Sequence, residues 1–83
     1  MQTEDSQKII ERFFDALYTL IERKEIRGKQ TFTREHNIDR WNFNKLETDK
    51  SRDIFQVAWL NYLVKEYKVS ADWLLTGKGE MFN

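Results

Sequence analysis

The stretch GKQTFTREHNIDRWNFNKLETDK, residues 28–50, decides the fold. It reads as two short helices hinged on three residues. The first, predicted over 29–36, is anchored mainly by Phe32. Asn37 follows it, and asparagine is the commonest non-glycine residue in the left-handed conformation that ends a helix. Asp39 then suits an N-cap, because its carboxylate can accept from the free amides one turn ahead. The second helix is predicted over 40–48. At about 100° per residue from Arg40, Asn44, Thr48, Trp41 and Lys45 fall within about 140°, whereas Phe43 and Leu46 fall at about 300° and 240°. One side is therefore dry and the other carries Arg, Asn, Lys, Thr and Trp. Two short helices with such a turn form the arrangement of a helix-turn-helix.

Outward from this segment the chain reads as helix on both sides. Before it, Ile9, Ile10, Phe13, Phe14, Leu17, Leu20 and Ile21 recur at steps of three and four, which predicts an amphipathic helix over about 6–24. Residues 25–28 break that pattern, with Gly28 free to adopt a conformation other residues resist. After it, ETDKSRD is polar and loop-like, with Ser51 or Asp53 as a cap for a helix over 54–67. Phe55, Ala58, Leu63 and Tyr67 are among its expected core residues, and the aromatic cluster Phe55, Trp59, Tyr62 and Tyr67 reads as core and interface rather than a ligand cage. Ser70 is placed to cap a last helix over 71–76, with Asp72 near its positive end, and Gly77 to end it. The expected architecture is all-α: five helices in one domain spanning 1–83, with the helix-turn-helix at about 29–48.

Composition agrees with this reading. Eighty-three residues suffice for one domain with one modest core. No proline and only three glycines suit helix interiors. The absence of cysteine excludes a disulfide framework and any thiolate metal site, and a single histidine leaves little for zinc. The opening MQTEDSQKII lacks the pattern of a signal peptide and no stretch approaches the length of a membrane span, so a cytoplasmic protein without membrane association is expected.

The net charge is zero, yet its distribution is uneven. Residues 1–22 carry two basic and five acidic side chains, 23–52 nine and five, and 53–83 three and four. A basic middle between acidic ends is a mild footprint for a polyanion. The polar types on 40–48 are those that meet base edges in a major groove: arginine forks onto guanine and asparagine pairs with adenine.

These residues carry a family resemblance. Residues 28–82 resemble the phage-repressor helix-turn-helix family, the Cro and lambda-repressor-like domains. The spacing is similar: a helix ending at Asn37, an apolar Ile38, the cap Asp39, and a recognition helix with apolar Phe43 and Leu46 followed by Glu47. VSADWLLTGKGEMF, residues 69–82, is similar to the segment that closes the DNA-binding part of many phage repressors, where a capped short helix packs its Trp-Leu-Leu on the core and ends in a glycine-rich turn. LNYLVKEYKV, residues 60–69, fits the helix leading into it. Three positions depart from the family pattern: Asn37 stands for the usual turn glycine, Thr33 for a small residue, and Lys29 for a glutamine that reaches a phosphate. Asp39 adds a negative charge near the duplex that is tolerable when it serves as a cap.

The resemblance implies a sequence-specific transcriptional regulator that binds double-stranded DNA. Arg40, Trp41, Asn44 and Lys45 would face base edges, and Lys29, Arg34, Thr48 and Lys50 would hold phosphates. One such helix buries too little surface for useful specificity, so a homodimer on two half-sites is expected. In longer repressors a regulatory or self-cleaving domain follows the segment like 69–82. A rival reading uses the same helices to bind a protein, with Trp41 as anchor. No enzyme and no small-molecule cofactor is expected. His36 closes the first motif helix without a marked nucleophile or orienting partner, Glu11, Asp15 and Glu22 lie on a polar helix face, and GKGE at 77–80 lacks phosphate-loop spacing.

Overall fold

A computed structural model describes residues 3–83. Five helices follow in order: α1 Glu4–Glu22, α2 Lys29–Glu35, α3 Arg40–Thr48, α4 Val57–Tyr67 and α5 Ala71–Thr76. The all-α class and the five-helix count agree with the sequence reading. Among the described residues the sole extended pairing is an isolated antiparallel bridge between Val69 and Phe82. None of their helices is long and apolar enough to cross a membrane.

The apolar stripe of α1 forms the floor of the core. Ile10, Phe13, Phe14, Ala16, Leu17 and Leu20 are all buried, while Glu11, Asp15 and Glu22 face solvent. The helix starts two residues earlier than the periodicity predicts, because Thr3 is its N-cap: its hydroxyl accepts from the Ser6 amide at 3.1 Å. It also ends earlier. Lys24 takes the left-handed conformation (φ 64°), and the amides of Lys24 and Glu25 close on the carbonyls of Ile21 and Leu20. Gly28, expected to make that break, is simply extended.

Six aromatic rings tie the helix-turn-helix to this floor. Phe13 meets Phe14, Phe32, Phe43, Phe55 and Trp59 with ring centroids 5.2–6.1 Å apart. Phe43 from α3 is wedged between Phe14 at 5.2 Å and Trp59 at 5.3 Å, mostly edge to face or tilted, as ring quadrupoles favour. Truncating a wholly buried ring such as Phe43 costs about 3–5 kcal/mol, so the position of α3 is set by the densest part of the core.

The fourth helix differs most from expectation. Ile54 still belongs to the preceding turn, Phe55 and Gln56 lie outside the helix, and α4 begins at Val57 behind Gln56, which is extended and caps without a side-chain bond. Neither Ser51 nor Asp53 caps it. Asp49 organises the loop instead, accepting from the Ser51 amide at 3.1 Å. Phe55 packs its ring on Phe13 and Trp59 from just outside the helix and is only partly buried. Ala58, expected in the core, is exposed, and Trp59 and Leu63 are the buried residues of α4. Tyr67 is partly buried.

The closing segment behaves largely as read. Ser70 Oγ accepts from the Trp73 amide at 3.2 Å, and Gly77 (φ 77°) ends α5. Of Trp73, Leu74 and Leu75, only Leu74 is fully buried; Leu75 is exposed, because the next turn has already left the core. Ser70 and Asn83 donate their amides to Met81 and Lys68, and Arg23 lies 4.4 Å from the centroid of Phe82, which holds the final residues against the end of α1.

Candidate nucleic-acid interface

The turn between α2 and α3 is built from backbone hydrogen bonds. Asn37 adopts the left-handed conformation (φ 55°), its amide donates to Arg34 O at 3.4 Å, and the Ile38 amide donates to Thr33 O at 2.8 Å. This is the double closure that satisfies a helix's last carbonyls. Asp39 then caps α3, accepting from the Asn42 amide at 3.0 Å. Its carboxylate is thus committed to the helix end, the condition under which its charge is tolerable near a polyanion. Thr33 is buried but satisfied: its hydroxyl donates to Gln30 O at 3.0 Å.

The helix so positioned has the two faces expected of it. Phe43 and Leu46 are wholly buried. Arg40, Trp41, Asn44 and Thr48 are exposed, and Lys45 is partly so. Trp41 does not fold back into the core; it is 66% exposed. Lys45 reaches back one turn and sets its Nζ 3.6 Å from the centroid of the Trp41 ring. Thr48 turns its hydroxyl onto the Lys45 carbonyl at 3.0 Å. Among the described residues the side chains of Arg40 and Arg34 make no hydrogen bond or ion pair, so their guanidinium groups are uncommitted.

The two lysines assigned to phosphates are both engaged at the far end of α3. Lys29, the first residue of α2, places Nζ 2.6 Å from Glu47 Oε1. Lys50 Nζ donates to the Glu47 carbonyl at 2.8 Å, a cation capping a helix C-terminus, and lies 5.5 Å from the Phe14 ring. Glu47 is therefore held between two ammonium groups. Its burial raises its carboxyl above the ordinary value, and Lys50 draws it part of the way back.

Several side chains gain their roles only from the fold. His36 Nδ1 lies 2.8 Å from the Phe32 carbonyl and Nε2 lies 3.0 Å from both carboxylate oxygens of Glu66. Its ring stacks on Tyr62 with centroids 4.3 Å apart. The histidine therefore pins α2 to α4. Asn42 and Gln56 meet His36, Asn37 and Asp39 around a shallow recess beside the turn. Neither had a local pattern to mark it, since residues 42 and 56 lie on different elements. Among the described residues no group of three or more metal-binding side chains comes together. No family model, curated protein or solved structure matches the chain at a significant level.

Proposed function

We propose that this protein is a sequence-specific double-stranded DNA-binding domain of phage-repressor type, acting as a transcriptional regulator from the cytoplasm. One observation carries the reading. α3 is anchored by two wholly buried side chains while its opposite face offers Arg40, Trp41, Asn44 and Lys45. A helix with a fixed back and a free polar front is what a major groove admits. Arg40 and Asn44 are the side chains suited to bidentate contacts with guanine and adenine, and Trp41 and Lys45 lie beside them. Arg34, Thr48, Lys29 and Lys50 flank this face as phosphate contacts, the lysines after exchanging or sharing their bonds to Glu47. The excess of basic residues over 23–52 favours the approach of a polyanion despite zero net charge.

One α3 reads only a few base pairs, so the working unit is a homodimer on half-sites about one helical turn, roughly 34 Å, apart. Selection of binding sites from random duplexes tests the reading, since it returns a motif, its symmetry and its spacing together. Equal, salt-insensitive retention of selected and random DNA would overturn it. The exposure of Trp41 also suits a protein-binding anchor. That second reading is favoured if Trp fluorescence is indifferent to duplex DNA at low salt.

A further inference from the structure

Trp41 and Lys45 form a cation–π unit on the outward face of α3. An indole exposed to this degree on a polar helix face gains nothing from the core. Lys45, from the middle of α3, carries its ammonium back toward the helix N-terminus to reach the ring. Cations are favoured at the other end of a helix, where the macrodipole is negative. The ammonium thus sits over the ring of Trp41, a residue in the first turn of α3.

We propose that Trp41 and Lys45 act jointly to select a thymine beside a guanine, which rests on the DNA-binding reading above. The ammonium covers one ring face of Trp41, leaving the edge and the other face to meet an apolar group. On major-groove edges the one apolar group is the thymine 5-methyl. Lys45 has three donors and no acceptor, and guanine alone presents two acceptors there without a donor. Because the ring holds the ammonium, the two bases are read together: the methyl by the indole, the neighbouring N7 and O6 by the lysine it positions.

The test uses the native chain on a duplex obtained by selection, with one base altered at a time. Replacing the thymine by deoxyuridine should weaken binding about fourfold, the worth of one buried methyl. Replacing the neighbouring guanine by 7-deazaguanine should weaken it about tenfold. Lys45→Met should abolish the second penalty and keep the first. Trp41→Ala should abolish the first and shrink the second, because Lys45 loses its positioning surface. Native protein indifferent to the deoxyuridine substitution, or Trp41→Ala with an undiminished 7-deazaguanine penalty, would overturn the proposal while leaving DNA binding intact. Failure to enrich any duplex would overturn the DNA-binding reading and this one with it. The two base substitutions need no variant to fold, and both side chains lie off the core.

Discussion

Lys29 Nζ stands 2.6 Å from Glu47 Oε1, joining the first residue of α2 to the last turn of α3. The pair spans the helix-turn-helix at the end opposite its turn, so the motif is closed at both ends. Both side chains are partly shielded, at 35% and 20% exposure, which places the contact between a surface ion pair and a buried one. Lys29→Met should therefore cost about 1–2 kcal/mol in urea unfolding. Glu47→Gln frees Lys29 and removes a negative charge beside the proposed phosphate contacts. Because burial already disfavours the Glu47 charge, we expect this variant to leave stability near pH 7 unchanged or slightly raised and to tighten binding to duplex DNA at low salt. Lys29→Ala should weaken binding to all sequences alike and flatten its salt dependence. Filter binding across a salt series checks both.

The acid limb of stability should show two opposing carboxylates. Glu47 titrates above 4.5 in the folded chain because burial disfavours its charge. Its folded form binds the proton more tightly than the unfolded form, so this contribution is full below 4.5 and is lost as pH rises through the raised value. Asp49 titrates below 3.8 because the Ser51 hydroxyl and amide hydrogen-bond its carboxylate. Its contribution is present above 3.8 and is lost as pH falls through the lowered value. Urea midpoints at a series of pH values should show the native chain losing ground to Glu47→Gln as pH rises from about 4 to 7. The gap between native and Asp49→Asn should close only at the acid end. A Glu47 difference that grows with pH would mean that the Lys29 contact outweighs desolvation.

Arg12 fastens α5 to α1. Its Nε and a terminal nitrogen donate to the carbonyls of Leu74 and Leu75 at 2.8 and 3.1 Å, a cation on the negative end of a short helix. Arg12→Leu should destabilise by about 1–3 kcal/mol, since it removes charge-assisted bonds and strands two carbonyls. Gly77→Ala should cost about 1–2 kcal/mol for its left-handed backbone. More is expected from the added Cβ, which would stand 3.1 Å from the Arg12 guanidinium. In the double variant that steric part should vanish, which a double-mutant cycle in urea would reveal.

Arg40 is exposed and its side chain makes no hydrogen bond or ion pair among the described residues. Arg40→Ala should leave the thermal midpoint nearly unchanged. It should relax preference at a single base position, at a cost of about 1–3 kcal/mol against the selected duplex. Competition binding with single-base variants of that duplex measures the effect. A uniform loss across all variants would make Arg40 a phosphate contact instead.

Much of the helix-turn-helix was legible because its signals are local. Asn37, Asp39 and Ser70 act within one turn of themselves, and all three do in the structure what their chemistry favours. The α1 stripe was legible because helical periodicity repeats over five turns. The start of α4 was not. Its run IFQVAWLNYLV suits a helix throughout, yet residues 54–56 stay outside the helix while the Phe55 ring packs on Phe13 and Trp59.

The sequence by itself determined the helix class, the places where α2, α3 and α5 begin, and the two faces of α3, since caps and periodicity are properties of neighbouring residues. Tertiary structure alone decided which polar side chains of those faces remain uncommitted. Lys29 met Glu47 across 18 residues and Arg12 met Leu74 across 62, because folding brought one cation to a carboxylate and the other to the carbonyls of a helix end. Arg40 and Trp41 met no such partner in the core or at a helix end, and so were left facing outward.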